Sequence, residues 1–161
     1  MLNRCPLPLR ASFRDVLRDL TGRSVTVRAG PAQQLDGDRC AYLAGYRFDE
    51  GDLAAIVVAD ADLSVGLAGA LAAMPPQDAL DQVAGDGILD EELFDFFHEI
   101  VNISAKLLNS PTTPHVALRE VTPVPGEVPE DVADRARRPA RREDWRVGVD
   151  SYGEGTITFL A

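Results

Sequence analysis

His98-Glu99-Ile100-Val101-Asn102 is one substitution away from His-Glu-x-x-His, the helical pattern in which two imidazoles at i and i+4 share a zinc ion. Asn102 removes the second imidazole, and the only other histidine, His115, lies beyond Pro111 and Pro114, so no metal site is expected on this chain. What the segment offers instead is a set of polar side chains at helical spacing. Glu92, Asp95, Glu99, Asn102 and Lys106 follow one another at intervals of three or four residues. Wound at about 100° per residue, they place acids, one amide and one amine on a narrow stripe. Glu99 and Asn102 are separated by about 4.5 Å along the axis, since each residue rises about 1.5 Å, so one helix presents both side by side. Asparagine is a poor mid-helix residue, because its side chain competes for backbone hydrogen bonds; a helix chosen only for stability would carry something else at 102. Ser104 falls on the apolar side with no histidine near it, which makes it a small packing residue bonded to the backbone and not a nucleophile. Gly66, Gly69, Gly85 and Gly87 match no phosphate-binding loop.

The element that must carry this stripe is the clearest periodic segment of the chain, Ile88 to Asn109, predicted as one helix of about six turns. Its apolar arc is Leu89, Leu93, Phe96, Phe97, Ile100, Ile103 and Leu107. The acids Asp90, Glu91 and Glu92 suit the positive end of the helix dipole, and Ser110-Pro111 closes the helix.

Glu99-Ile100-Val101-Asn102, after the acidic run Asp90-Glu91-Glu92 and the segment Phe94 to His98, resembles the Glu-x-x-Asn motif of the CheC/CheX/FliY chemotaxis phosphatases. The resemblance extends through most of the chain by order of elements. An early helix carries Phe13 to Leu20, a strand follows Gly22, the strand from Asp52 to Ala59 leads into an Ala-rich helix, and Pro125-Gly126 follows the next strand. CheC-like members carry a second such motif on the first helix, where this chain has Asp15 and Arg18 without an asparagine, so the similarity is closest to CheX-like single-site members. The resemblance implies hydrolysis of the phosphoaspartate of a phosphorylated CheY-like response regulator in two-component signalling. Asn102 would orient the attacking water and Glu99 would pair with the regulator's active-site lysine. Glu92, Asp95 and Lys106 would contact the partner. No cofactor is implied on this chain, Mg2+ being expected on the partner receiver domain. Positioning is most of the task in such chemistry.

The chain departs from the family at Lys106, which stands where members commonly carry a glycine. Its amine has three readings: it crowds or repels the regulator, it holds an anionic group such as phosphate or a carboxylate, or it is simply a cation favoured near a helix C-terminus. The first of these makes the chain a non-catalytic response-regulator binding module with a degenerate site, the alternative to a phosphatase.

Composition bounds the rest. The chain has 161 residues, 45% of them hydrophobic and 26% charged, as befits one ordinary domain, residues 1–161. Net charge is −10 with a pI near 4.6, which excludes general phosphate-backbone binding to nucleic acid. The excess is local, with eighteen acidic and four basic residues between 31 and 130. Fifteen of the sixteen basic residues are arginines, and Lys106 is the one lysine. The most apolar stretch, Ala54 to Met74, contains Asp60 and Asp62 and reads as strand then helix, with no membrane insertion. No export signal is read at the start. Cys5 and Cys40 are expected as reduced thiols of a cytoplasmic protein, one disulfide remaining an alternative.

The remaining elements follow from pattern. A helix is predicted over Ser12–Leu20 and strands over Ser24–Arg28, Arg39–Phe48, Leu53–Ala59, Val116–Val124, Trp145–Asp150 and Thr156–Leu160. A weakly amphipathic helix over Asp62–Ala73 is stopped by Pro75-Pro76, followed by a polar connection. Residues 123–144 read as a long Pro/Arg-rich surface loop or a short irregular helix. Its basic run, Arg137 to Arg142, either balances nearby carboxylates or meets an anionic partner. The sum is an α+β domain with about six mostly antiparallel strands and about three helices, CheX-like. A homodimer through the late strands is expected by analogy with that family.

Overall fold

The computed structural model describes residues 5–35 and 41–161, so Cys40 and Arg39 lie outside the described residues. Six strands form one antiparallel sheet: β1 (Val25–Ala29), β2 (Ala41–Phe48), β3 (Leu53–Asp60), β4 (Val116–Val124), β5 (Arg142–Val149) and β6 (Gly153–Leu160). Their spatial order is β1-β5-β6-β3-β2-β4. Two hairpins are local. In β2–β3 the turn closes through Gly51 N–H to the Phe48 carbonyl at 2.9 Å, with Gly51 at a φ of 104° that suits glycine. In β5–β6 the Tyr152 N–H donates to the Val149 carbonyl at 2.9 Å.

Five α-helices accompany the sheet: α1 (Arg10–Thr21), α2 (Ala61–Leu71), α3 (Pro76–Ala84), α4 (Glu91–Ser104) and α5 (Glu130–Arg137). The main core lies where α1, α2 and α4 cover one face of the sheet. Phe13 of α1 meets Trp145 of β5 and Phe159 of β6, with ring centroids 5.8 and 5.4 Å away. α2 is buried nearly all round, which is why its sequence shows so little amphipathic contrast. Its glycines have a packing reason: a Cβ on Gly66 would stand 2.9 Å from the Tyr152 carbonyl oxygen, so only glycine lets β6's turn approach this closely.

The other face carries α5. Val132 packs with Leu43, Leu53, Ile56, Val58 and Leu160, so β3 is buried on both faces and reads as a continuous apolar run. A second clamp is ionic. Arg47 of β2, only 15% exposed at its side chain, meets Glu120 of β4 at 2.8 Å and Asp131 of α5 at 2.6 Å. Arg135 of α5 adds donors to the Ala54 and Leu53 carbonyls at 2.9 and 3.1 Å.

Several expectations change here. Of the two readings of residues 123–144 the short helix holds: β4 runs to Val124, α5 is a regular eight-residue helix, and β5 begins at Arg142. Glu130 and Asp131 open α5 and Arg135 and Arg137 close it, so its charges match the helix dipole. The polar connection after Pro75 contains α3, which Pro76 starts from the first-turn position where its missing N–H costs nothing. Among the described residues the α-helices number five, where about three were expected. Three of the four arginines in the basic run have partners within the chain, Arg137 pairing with Asp134, Arg141 donating to the Cys5 carbonyl and Arg142 to Asp144. β5 is flanked by β1 and β6, and β6 by β5 and β3; among the described residues the outer strands are β1 and β4. No described helix is long and apolar enough to cross a membrane.

Candidate functional site

α4 is fixed at its start by its own sequence. Asp90 caps it, its carboxylate accepting from the Leu93 N–H at 2.8 Å, and Glu91 and Glu92 fill the acidic first turn. Leu93, Phe97, Ile100, Val101 and Ser104 are buried, with Phe96, Ile103 and Leu107 half-buried at the margins of the predicted arc. Ser104 behaves as its position demands, its hydroxyl donating to the Ile100 carbonyl at 2.7 Å inside the core.

Two tyrosines of β2 fasten the helix to the sheet. Tyr42 and Tyr46 stand four residues apart, on one face of the strand. The Tyr42 hydroxyl accepts from the Leu89 N–H at 2.8 Å, and the Tyr42 ring meets Phe94 and Phe97 at 6.1 and 5.6 Å. The Tyr46 hydroxyl donates to the Val101 carbonyl at 2.6 Å. Burial, followed by the nearby Cys5, pushes the Tyr46 phenol far above its ordinary range, so it stays a neutral donor.

That last bond falls one residue before Asn102, where the helix changes. The Val101 carbonyl would ordinarily receive the Ala105 N–H; here it carries the Tyr46 hydroxyl, and the Ala105 N–H meets the Asn102 and Ile103 carbonyls. α4 stops at Ser104 and a 3-10 turn, Ala105–Leu108, follows. The predicted single helix to Asn109 is thus corrected. Lys106 lies on this tighter turn, roughly 20–40° further round the axis than a continuous α-helix would carry it.

Asn109 secures the end of the turn. Its side-chain amide donates to the Ala105 and Val116 carbonyls, both at 2.9 Å, and accepts from the Val116 N–H at 2.8 Å. It acts as a bridging residue between the turn and the start of β4.

Glu92, Asp95, Glu99 and Asn102 all stand exposed on the outer side of α4, and Lys106 is exposed on the turn. Among the described residues, the side chains of Glu99, Asn102 and Lys106 make no hydrogen bond or ion pair. An open groove of about 430 Å³ runs between the end of α4 and the start of β4. Asn102 and Lys106 line it together with His115, Ala117 and Leu118, whereas Glu92, Asp95 and Glu99 lie up the helix outside it. The stripe therefore has two parts: acids on the open helix face, and an amide with an amine at the groove.

His98 is exposed, as a surface position requires. Cys5 is a buried free thiol whose Sγ donates to the Leu108 carbonyl at 3.4 Å. Burial pushes its pKa up to about 11, Arg141 and Arg135 opposing, so it is a poor nucleophile at neutral pH. On α1, Asp15 pairs with Arg14 and Arg18 at 3.1 and 3.0 Å, leaving no second polar site of the α4 kind there.

No family model and no curated protein matches the chain. Solved structures do. FliY of Thermotoga maritima superposes with a TM-score of 0.62 at 11% identity, over 92% of this chain and 81% of that one. FliM in the FliM–SpeE complex from H. pylori gives 0.58 at 7%, over 94% and 80%. CheX from Vibrio vulnificus gives 0.52 at 14%, over 93% and 91%. The fold expected from the resemblance, that of the CheC/CheX/FliY proteins, is the fold of this chain. FliY and FliM superpose at least as well as CheX, so the fold does not single out the CheX-like subtype.

Proposed function

We propose that this chain is a cytoplasmic phosphatase that hydrolyses the phosphoaspartate of a CheY-like receiver domain in a chemotaxis or related two-component pathway. Glu99 and Asn102 are the working pair. The observation that carries this reading is their placement: two uncommitted polar side chains, one turn apart, on the exposed face of a helix pinned at both ends to a sheet of the CheX and FliY fold. Inserted into the receiver's site, Glu99 accepts the receiver lysine and Asn102 holds a water in line with the acyl-phosphate bond. The receiver supplies Mg2+. A rigid helix suits this work, because positioning a water is worth several kcal/mol only if the amide does not wander.

A second reading is a binding module that recognises a partner without hydrolysis. It is favoured by the occurrence of this fold in FliM crystallised with SpeE and with FliG. Incubation with phosphorylated response regulators of the source organism separates the two. Under the first reading the phosphoryl lifetime shortens and Asn102→Ala restores it; binding with an unchanged lifetime selects the second.

A further inference from the structure

Lys106 is the feature that the Glu99–Asn102 pair leaves unexplained. Seven of the thirteen described arginines meet a carboxylate and six do not. The single lysine, in a chain of net charge −10, meets none among the described residues. The 3-10 turn carries it off the line of the acidic stripe to the groove, and no acidic side chain lines that groove. The opposite rim is His115, whose Nδ1 is 2.9 Å from Asp49. Acids therefore lie on the helix above Asn102, and a cation beside it below.

We propose that this groove binds the phosphoryl oxygens of the acyl phosphate and that Lys106 is a catalytic residue beside Asn102, an inference that rests on the phosphatase reading above. The two Cα positions are about 7 Å apart along the axis, so the short amide and the long amine reach one tetrahedral group from two sides. The chemistry calls for such a cation. When Glu99 takes the receiver's lysine, a phosphoryl oxygen loses a positive partner while charge spreads over the three equatorial oxygens. Lys106 donates a charge-assisted hydrogen bond to that oxygen. The water oxygen forms the new bond to phosphorus, the acyl P–O bond breaks, and the aspartate carboxylate leaves with the electron pair. The water's proton passes to the phosphate product or to solvent. Lys106 is not consumed.

The test uses the full chain with two probes. Acetyl phosphate, a small acyl phosphate, shifts the Ala105 and Lys106 amides and the Asn102 side-chain amide saturably in 1H–15N spectra. Lys106→Met abolishes the saturation and Lys106→Arg keeps it. On a phosphorylated receiver domain, Lys106→Met lowers the maximal dephosphorylation rate about tenfold or more with little change in half-saturating concentration, and Lys106→Arg recovers most of it. Acetyl phosphate shifts that persist in Lys106→Met overturn the proposal, as does a Lys106→Gly protein that is as fast as or faster than the parent. If Asn102→Ala abolishes turnover while Lys106→Met leaves it intact, Lys106 is overturned and the phosphatase reading stands. Lys106-dependent binding of acetyl phosphate by a chain that accelerates no receiver supports the anion groove and removes the phosphatase reading.

Discussion

The Tyr46 hydroxyl donates to the Val101 carbonyl at 2.6 Å, across 55 residues of sequence and from strand to helix. It sits on the carbonyl that α4 would use to continue, and the Ala105 N–H is on the Asn102 and Ile103 carbonyls instead. Asn102 is the next residue and Lys106 lies on the turn that follows.

Tyr46→Phe keeps the ring and removes only the donor, leaving the Val101 carbonyl buried and unsatisfied or returned to Ala105. We predict a loss of about 1–2 kcal/mol, read as a lower denaturant midpoint at unchanged slope. Because the change re-aims Lys106, the Ala105 and Lys106 amide signals move while those of α1 do not. Full stability with unmoved signals contradicts the role assigned to this bond.

Asn109→Ala removes one bond to the 3-10 turn and two to the start of β4 at once. Amide exchange at Val116 rises about tenfold or more, corresponding to about 1.4 kcal/mol or more of lost local protection, while exchange in the middle of β6 stays close to the parent's. Equal acceleration in both places would mean global destabilisation and no specific latch.

α5 hangs on Arg47. Arg47→Met leaves Glu120 partly buried without its cation, and the cost, discounted for solvent at the exposed Asp131 end, is about 1–3 kcal/mol. The pH dependence has a definite sign. The hydrogen bond from Arg47 holds the Asp131 carboxyl below the usual carboxylate range, so its contribution is complete above the unfolded value of about 3.9 and is lost as pH falls through the lower folded value. Asp131→Asn therefore shows a shallower loss of stability than the parent on acidification from pH 5 towards 2, measured by urea midpoints. Parallel curves would remove Asp131 from the account.

The sequence made much of this legible, for a physical reason. The periodicity of Ile88 to Asn109 records one buried face, and Leu93, Phe97 and Ile100 are where it predicts; Ser104 likewise bonds its backbone. β2 and β3 were readable because an apolar run on either side of the Asp49–Asp52 turn is a local signal. The break at Ser104 was not, because the hydroxyl on the Val101 carbonyl beside it comes from a distant strand. Asn109 read as the last residue of the helix, yet its partner is the start of β4, beyond Pro111 and Pro114. α3 and α5 are short, polar and begin after prolines, and α5 owes its place to Arg47 and Val132, neither visible as a local pattern. The groove joining Asn102 to Lys106 exists only once that turn and β4 are brought together.

The most direct measurement is single-turnover release of inorganic phosphate from a phosphorylated receiver domain mixed with excess protein, with complex formation followed in parallel. The account predicts that the parent chain shortens the phosphoryl lifetime by about tenfold or more, and that Asn102→Ala binds the receiver equally well yet leaves the lifetime at the receiver's own value. A parent chain that binds without changing the lifetime, or an Asn102→Ala protein as fast as the parent, contradicts it.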